Sequence, residues 1–291
     1  MENQIRPLQV LNNFNSAAIR AVNDPSLRGG TAEVFRRIHD AAPALSFERA
    51  EFAICLGRWR FSKGVYKVDP TVEELILDSE VRRIPREVLK YLPEWCVYIK
   101  TETVPGLDGF FFNSHQGEGL AFMQFLLCYR DRNEMHSIPL LDTVQESLEA
   151  SDTVTLVQTE EEVLDILQRL LHLVLYLCAE NAEIGPVRPT PARPQRRKRY
   201  RIPPRIREWE VAYRLGPELR RAQAHPSEVE GWVTGARKRP HVARAHFRNQ
   251  AWGPSYSRHR LTWIAPQFKG FRNSDIDPGD QPAVRRDVSP Q

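Results

Sequence analysis

Cysteine is scarce in this 291-residue sequence, and the four cysteines are far apart. Cys55, Cys96, Cys128 and Cys178 form no C-x-x-C pair, and each lies among apolar neighbours. This spacing argues against a disulfide framework and against a zinc site built on cysteine. It is typical of reduced core thiols in a cytosolic protein.

Long apolar segments are also lacking. Residues 1–7 are polar and charged, and no apolar stretch of signal-peptide type follows them. The most apolar segment, 163–179, is interrupted by Asp165, Arg169 and His172 and is too short to span a bilayer. We expect this segment to be a buried helix, and we expect a cytoplasmic protein without a membrane partner.

No nucleotide-binding or hydrolytic motif occurs, because the sequence lacks G-x-G-x-x-G, G-x-x-x-x-G-K-[ST], H-E-x-x-H and G-x-S-x-G. The eight histidines include one close pair, His241 and His246. Their five-residue spacing would place them on opposite faces of a strand, which disfavours a shared metal ion. We predict a protein that is not an enzyme and that uses no cofactor or metal.

Charge is present in quantity but unevenly distributed. The net charge of +4 conceals 23 Lys and Arg against 9 Asp and Glu in residues 186–291, and 18 against 28 in residues 1–185. A basic half favours an anionic partner, with nucleic acid as the first candidate. The alternative is that the two halves attract each other within one fold or a dimer.

The densest basic stretch lies between residues 238 and 252. Its predicted nucleic-acid-binding residues are Lys238, Arg239, His241, Arg244, His246, Arg248 and Trp252. On one strand starting at Val242, the residues Arg244, His246 and Arg248 would share a cationic face, and the alternate residues would face a core. Trp252 is the best candidate for stacking on a base, whereas the other tryptophans, Trp95 among them, are expected in the core.

Composition divides the chain into four segments and predicts an α+β fold. Residues 1–185 are expected to form an acidic domain of helices and an antiparallel sheet. The predicted strands of this sheet are 95–100, 109–113, 119–130 and 135–141, and the helix 160–179 would cover them. Residues 207–268 are expected to form a small basic domain of β-α-β-β order, with strands near 208–213, 241–249 and 260–264. Residues 269–291 are a polar tail.

Residues 186–206 are predicted to be a linker rich in proline and arginine. The linker contains a basic cluster, Arg196, Arg197, Lys198 and Arg199, and has little to bury. It can be a plain solvated connection. The alternative is a flexible arm that holds nucleic acid electrostatically, and this cluster is therefore included among the predicted nucleic-acid-binding residues.

Five collinear stretches resemble a known family of inhibitors. They are 57–66 (GRWRFSKGVY), 92–99 (LPEWCVYI), 175–179 (LYLCA), 213–221 (YRLGPELRR) and 238–253, the last followed by Trp263 and Pro266. Their order and spacing resemble the anti-CRISPR inhibitors of type V-A systems that lower the amount of the effector nuclease. Relatives of that inhibitor are carried by phages and plasmids. The resemblance covers residues 50–268 and rests on the set, because no single motif is diagnostic.

The resemblance implies a non-enzymatic regulator that recognises the start of the effector polypeptide as it leaves the ribosome and causes loss of its transcript. The implied partners are a nascent or N-terminal effector peptide for the acidic half, and RNA or the ribosome for the basic half. The family pattern R-P-H-[IV]-R-R-x-H-W-H is altered here. Ala243 replaces an arginine, Phe247 the tryptophan and Arg248 the last histidine.

Two other functions are compatible with the residues. A metal-independent ribonuclease or toxin-like enzyme needs a general base, a general acid and a cation, and the sequence offers His246, His259 and Arg244. A general nucleic-acid-binding regulator needs only the basic surface, although no helix-turn-helix signature is visible. The histidines can also serve in structural hydrogen bonds alone.

Overall fold

The computed structural model describes residues 6–22, 30–116, 121–154, 161–186, 205–224 and 241–269. Within these ranges the α-helices are α1 (Arg6–Asn12), α2 (Ser16–Ala21), α3 (Gly30–Ala41), α4 (Phe47–Ser62), α5 (Pro70–Leu77), α6 (Val144–Val154), α7 (Glu161–Cys178) and α8 (Leu215–Ala224). The strands are β1 (Gly64–Val68), β2 (Val97–Lys100), β3 (Leu107–Gln116), β4 (Ala121–Tyr129), β5 (Asn133–Pro139), β6 (Ile184–Pro186), β7 (Arg207–Val211), β8 (His241–Ala243), β9 (His246–Trp252), β10 (Arg258–Ile264) and β11 (Gln267–Lys269). Two short 3₁₀ helices cover Arg86–Tyr91 and Pro254–Tyr256.

Side-chain caps fix the start of α4 and α5, the helices that precede and follow β1 in the chain. The Ser46 hydroxyl accepts a hydrogen bond from the Arg49 amide at 3.3 Å, and Asp69 accepts one from the Thr71 amide at 3.1 Å. Each bond satisfies an amide that has no partner inside its helix. Pro70 begins α5, where a missing N–H costs nothing.

Seven strands form one mixed sheet in the order β5-β4-β3-β2-β1-β7-β6. Strands β2 to β5 are the antiparallel meander that the sequence predicts. Strand β1 pairs in parallel with β2 on one side and with β7 on the other. The predicted α+β class is confirmed, but the sheet is mixed rather than antiparallel throughout.

Helices cover both faces of the sheet, so its central strands are buried on both sides. Val97 and Ile99 of β2 point into a core shared with α5 and α7. Cys96 and Tyr98 point into a second core shared with α2, α3 and α4. Burial on both faces explains the unbroken apolar run at residues 110–112 of β3.

Strand β7 returns the chain to the large sheet after the predicted linker. It pairs with β1, and Arg207 donates hydrogen bonds to the Ser62 carbonyl at 2.9 Å and to the Glu94 carboxylate at 2.6 Å. Gly64 makes room for this carboxylate, because a Cβ there would lie 2.2 Å from a Glu94 oxygen. The first strand of the predicted basic domain therefore belongs to the large sheet. The division at residues 186 and 206 borders the undescribed residues 187–204 and stays a prediction.

The single strand predicted at 241–249 is two strands. Strand β8 pairs with β11 and strand β9 pairs with β10, both antiparallel. The interruption lies at Arg244 and Ala245, where the Ala245 carbonyl accepts from the Glu80 amide at 3.0 Å. The Phe247 amide then donates to the Glu80 carbonyl at 3.0 Å. This contact with a distant residue turns the chain, so the predicted continuous cationic face is wrong.

Trp95, just before β2, lies at the surface, although the sequence predicts it in the core. Trp95 precedes the strand, is 37% exposed and lines a cavity of about 470 Å³ with Leu92 and Lys90. It is therefore not a core residue. The four cysteines, by contrast, are buried free thiols as predicted, and no helix of the described ranges is long and apolar enough to cross a membrane.

A buried arginine links α4 to the sheet through amides. Arg58 is 4% exposed, and it donates to Asn113 at 2.6 Å and contacts His115 at 3.2 Å. Asn113 donates in turn to Gln124 at 3.1 Å, and Gln124 contacts Glu51 at 3.4 Å. Burial lowers the pKa of Arg58 and raises the pKa of Glu51. Among the described residues, no carboxylate lies within salt-bridge distance of Arg58.

Replacing Asn113 with alanine should lower the free energy of unfolding by about 3 kcal/mol, because the buried guanidinium loses an acceptor that water cannot replace. The double variant Arg58→Met, Asn113→Ala should lose less than the sum of the two single losses, because the charge is gone. Urea unfolding monitored by circular dichroism measures these values. Additive losses would contradict the coupling.

Candidate nucleic-acid interface

Strands β9 and β10 form a hairpin whose two faces differ in chemistry. Directly opposed residues share a face, and the register pairs Arg258 with Trp252 and Ile264 with His246. One face, which we name the outer face, carries His246, Arg248, Gln250, Trp252, Arg258, Arg260, Thr262 and Ile264. The inner face carries Phe247, Leu261 and Trp263, which are buried in the core. The hairpin therefore has a cationic side and an apolar side.

The inner face is attached to the C-terminal end of α7 by packing and by hydrogen bonds. The Trp263 ring lies edge-on to Tyr176 at 5.4 Å, and its indole N–H donates to the Ser79 hydroxyl at 2.9 Å. The Trp263 backbone exchanges two hydrogen bonds with the Asn181 side chain at 2.8 and 3.0 Å. The Glu180 amide donates to the Leu261 carbonyl at 2.8 Å. These contacts hold the outer face toward solvent.

The outer face has its strongest charge cluster around Trp252. The guanidinium carbons of Arg258 and Arg260 lie 5.2 and 5.0 Å from the centre of the Trp252 ring, which is cation–π distance. Arg260 also pairs with Glu180 at 2.8 Å. Within the described ranges, no carboxylate lies within salt-bridge distance of Arg248 or Arg258. These two arginines are therefore the ones placed to meet phosphates.

The other end of the hairpin is partly neutralised by an acidic residue. A hydrogen bond from Arg82 lowers the pKa of Glu80, and the charges of His246 and Arg244 lower it further. Arg244 is exposed in the link between β8 and β9, and its carbonyl contacts the His246 ring at 3.3 Å. Glu80 therefore offsets part of the positive charge at this end, as Glu180 offsets that of Arg260 at the other end.

The predicted site residues are thus only partly brought together. His246, Arg248 and Trp252 share the outer face, Arg244 adjoins it, and His241 begins β8. Six predicted residues lie outside the described ranges: Arg196, Arg197, Lys198, Arg199, Lys238 and Arg239. Sequence reasoning missed Arg258 and Arg260. Their i, i+2 spacing after the Gly253-Pro254 turn is the signal that would have placed them on one face.

The proposed catalytic trio is not assembled. His246 lies opposite Ile264 and His259 lies opposite Ala251, so they are five ladder positions apart, or about 17 Å. The odd number of positions also puts them on opposite faces of the hairpin. The His259 ring lies 3.3 Å from the Asn249 side-chain oxygen, so this histidine links the two strands of the hairpin. In the part of the chain that the structure describes, no group of three metal-ligating side chains occurs.

Comparison with known proteins identifies relatives. A profile of the AcrVA2-like family, described as the anti-CRISPR type V subtype A2 family, matches residues 66–268. Protein FinQ of Escherichia coli is 24% identical over an alignment of length 229, which covers 66% of this chain and 66% of FinQ. The chain thus aligns with just under two thirds of FinQ. A crystal structure of AcrVA2 is 20% identical and has a TM-score of 0.52, with 90% of this chain and 91% of that chain covered. This last match is a likeness of fold.

The support beneath the outer face should depend on pH through His172. This α7 side chain is buried, bonded to the Leu77 carbonyl at 2.9 Å and 6.2 Å from the Phe247 ring. Burial lowers the pKa of His172 from its ordinary value of 6.5. Below pH 6.5 His172 is protonated more readily in the unfolded chain than in the folded chain. The free energy of unfolding should therefore fall as the pH falls.

The variant His172→Gln should therefore lose less stability between pH 7.5 and 5.5 than the unmodified protein. Urea midpoints at the two pH values measure this difference. Burial also lowers the pKa values of His115 and His136, but these contribute equally to both proteins. An identical pH dependence in the two proteins would show that His172 does not carry the effect.

Proposed function

The chain belongs to the AcrVA2-like family of type V subtype A2 anti-CRISPR proteins, and on this basis we propose that it lowers the production of a CRISPR effector nuclease. The matched residues, 66–268, are well over half of the chain and include the whole β9–β10 hairpin. The proposed role is that of an accessory protein carried by a phage or plasmid. It acts in the cytoplasm, where the effector is translated.

The protein acts by binding RNA, and the outer face of the hairpin is the observation that carries this proposal. Residues 241–269 contain no aspartate or glutamate. The rigid inner face keeps Arg248 and Arg258 in solvent, where guanidinium groups can form paired hydrogen bonds with phosphate oxygens. Contacts of this kind position a nucleic acid without reading its sequence.

We also propose that the acidic portion, residues 1–185, binds the polypeptide of the effector nuclease. Residues 1–185 carry 28 acidic against 18 basic residues. A basic peptide at the start of a nascent effector would be attracted to this portion while the hairpin holds the attached RNA or ribosome. The peptide sequence would then determine which effector is recognised, and the arginines of the hairpin would add affinity for the attached RNA.

A general nucleic-acid-binding regulator is the second candidate, and the same arginines favour it because phosphate contacts carry no sequence information. The two functions differ in cells. An effector-directed inhibitor lowers the transcript of an effector with its own first codons and spares one whose first codons are recoded to a different peptide. A general regulator affects both transcripts equally.

Removing an outer-face arginine should weaken RNA binding at every sequence by a similar factor. For Arg248→Ala or Arg258→Ala, the plot of log affinity against log salt should become shallower by about 0.7 per lost contact with a single strand. Arg130→Ala is the matched control, since the Arg130 side chain is 85% exposed and lies in the β4–β5 turn, outside the hairpin. Fluorescence anisotropy of labelled RNA over a salt series measures both quantities. Absence of RNA binding by the unmodified protein at low salt would refute the proposal.

The purified protein should leave RNA intact, with or without divalent metal, because His246 and His259 lie too far apart to act on one phosphate. Gel analysis of end-labelled RNA incubated with magnesium, manganese, zinc or EDTA tests this expectation. Cleavage that disappears in His246→Ala while RNA binding persists would favour the ribonuclease instead.

A further inference from the structure

A cavity of about 370 Å³ opens beside Trp252 at the distal end of the hairpin. Its walls come from four parts of the fold: residues 91 and 93 at the end of the first 3₁₀ helix, residues 177–180 at the end of α7, residue 184 of β6, and residues 252 and 259–261 of the β9–β10 hairpin. This size is at the lower end of the range for ligand pockets, which suits a single small group.

The cavity wall combines two exposed aromatic rings with the ion pair of Arg260 and Glu180, and Arg258 lies over one of these rings without lining the cavity. Trp252 is 38% exposed and Tyr91 is 54% exposed, and both line the cavity. Arg260 is held in place by Glu180 and by the Trp252 ring, while Arg258 lies over the same ring. Holding a guanidinium on a ring before a ligand arrives reduces the conformational entropy lost on binding.

We propose that this cavity binds one unpaired nucleotide of RNA, with the base against Trp252 and the adjacent phosphate at Arg258. The inference rests on the proposed RNA-binding function and adds the form of RNA that is recognised. A base inside a duplex has both faces covered by its neighbours, so it cannot reach an aromatic ring in a cavity. Bases of single strands do stack on exposed aromatic and guanidinium planes.

The outer face extends this site in the direction of the strand. Arg248 lies on the same face of β9 as Trp252, four residues away, which is about 13 Å along the strand. That distance spans more than one nucleotide of an extended single strand. A bound strand would therefore place one base at Trp252 and a phosphate further along the strand near Arg248.

The test compares a single-stranded RNA with a duplex of the same sequence at one salt concentration, using Trp252→Ala and Trp252→Phe. Trp252→Ala should weaken single-strand binding by about 5- to 150-fold and duplex binding by much less, because a duplex loses only the support that the ring gives to Arg258 and Arg260. Trp252→Phe should keep most of the affinity, because it retains a stacking surface. Tyr213→Ala is the matched control. Tyr213 is also 38% exposed and has the guanidinium carbon of Arg214 5.3 Å from its ring centre, but it does not line this cavity.

Equal losses for single strand and duplex, or no loss in Trp252→Ala, would overturn the inference while leaving the RNA-binding proposal intact. If the RNA-binding proposal is wrong, the result is different, because the unmodified protein would then bind neither the single strand nor the duplex. A glutamate-rich peptide provides the last arm. If that peptide binds through Trp252 and single-stranded RNA does not, the cavity is a peptide site and the inference is wrong. Photo-crosslinking of RNA containing 4-thiouridine should label peptides that contain Trp252 or Tyr91.

Discussion

Packing of Phe247, Leu261 and Trp263 against α7 decides which side of the β9–β10 hairpin faces solvent. Two-stranded hairpins are marginal alone in water, so this one depends on its apolar face for stability. Once these three side chains are buried, the alternation of side chains along each strand directs Arg248, Arg258 and Arg260 toward solvent. The hydrogen bonds of Trp263 to Ser79 and Asn181 then fix the position as well as the face. The proposed RNA surface is a consequence of core formation.

The large sheet supplies the frame to which that hairpin is attached. Strand β1 joins the antiparallel meander to β7, and the ion pair of Arg207 with the half-buried Glu94 secures the junction. Helix α7 lies over the same face of the sheet as the hairpin. The acidic and basic portions are therefore joined by an apolar contact, and the attraction between their opposite charges adds to it. The charge asymmetry of the sequence serves both internal attraction, as in Arg260 with Glu180, and an outward basic surface.

The elements predicted well from the sequence are those with local signals. Helix 160–179 has helical apolar spacing and is found as α7, and the meander strands are apolar runs bounded by glycine and proline. Strand β1 was missed because it is short and both its partners lie far along the chain. The break at Arg244 arises from a bond to Glu80, and the cluster around Trp252 arises from hairpin register. Neither is encoded in neighbouring residues.

The central claim is that RNA lies on the outer face of the hairpin, and arginine footprinting tests it most directly. Phenylglyoxal modification followed by mass spectrometry, with and without single-stranded RNA, reports the accessibility of each guanidinium. The account predicts that RNA protects Arg248 and Arg258 and leaves Arg130 as reactive as before. Protection of Arg130 with continued reactivity of Arg248 and Arg258 would place the RNA elsewhere and contradict the account.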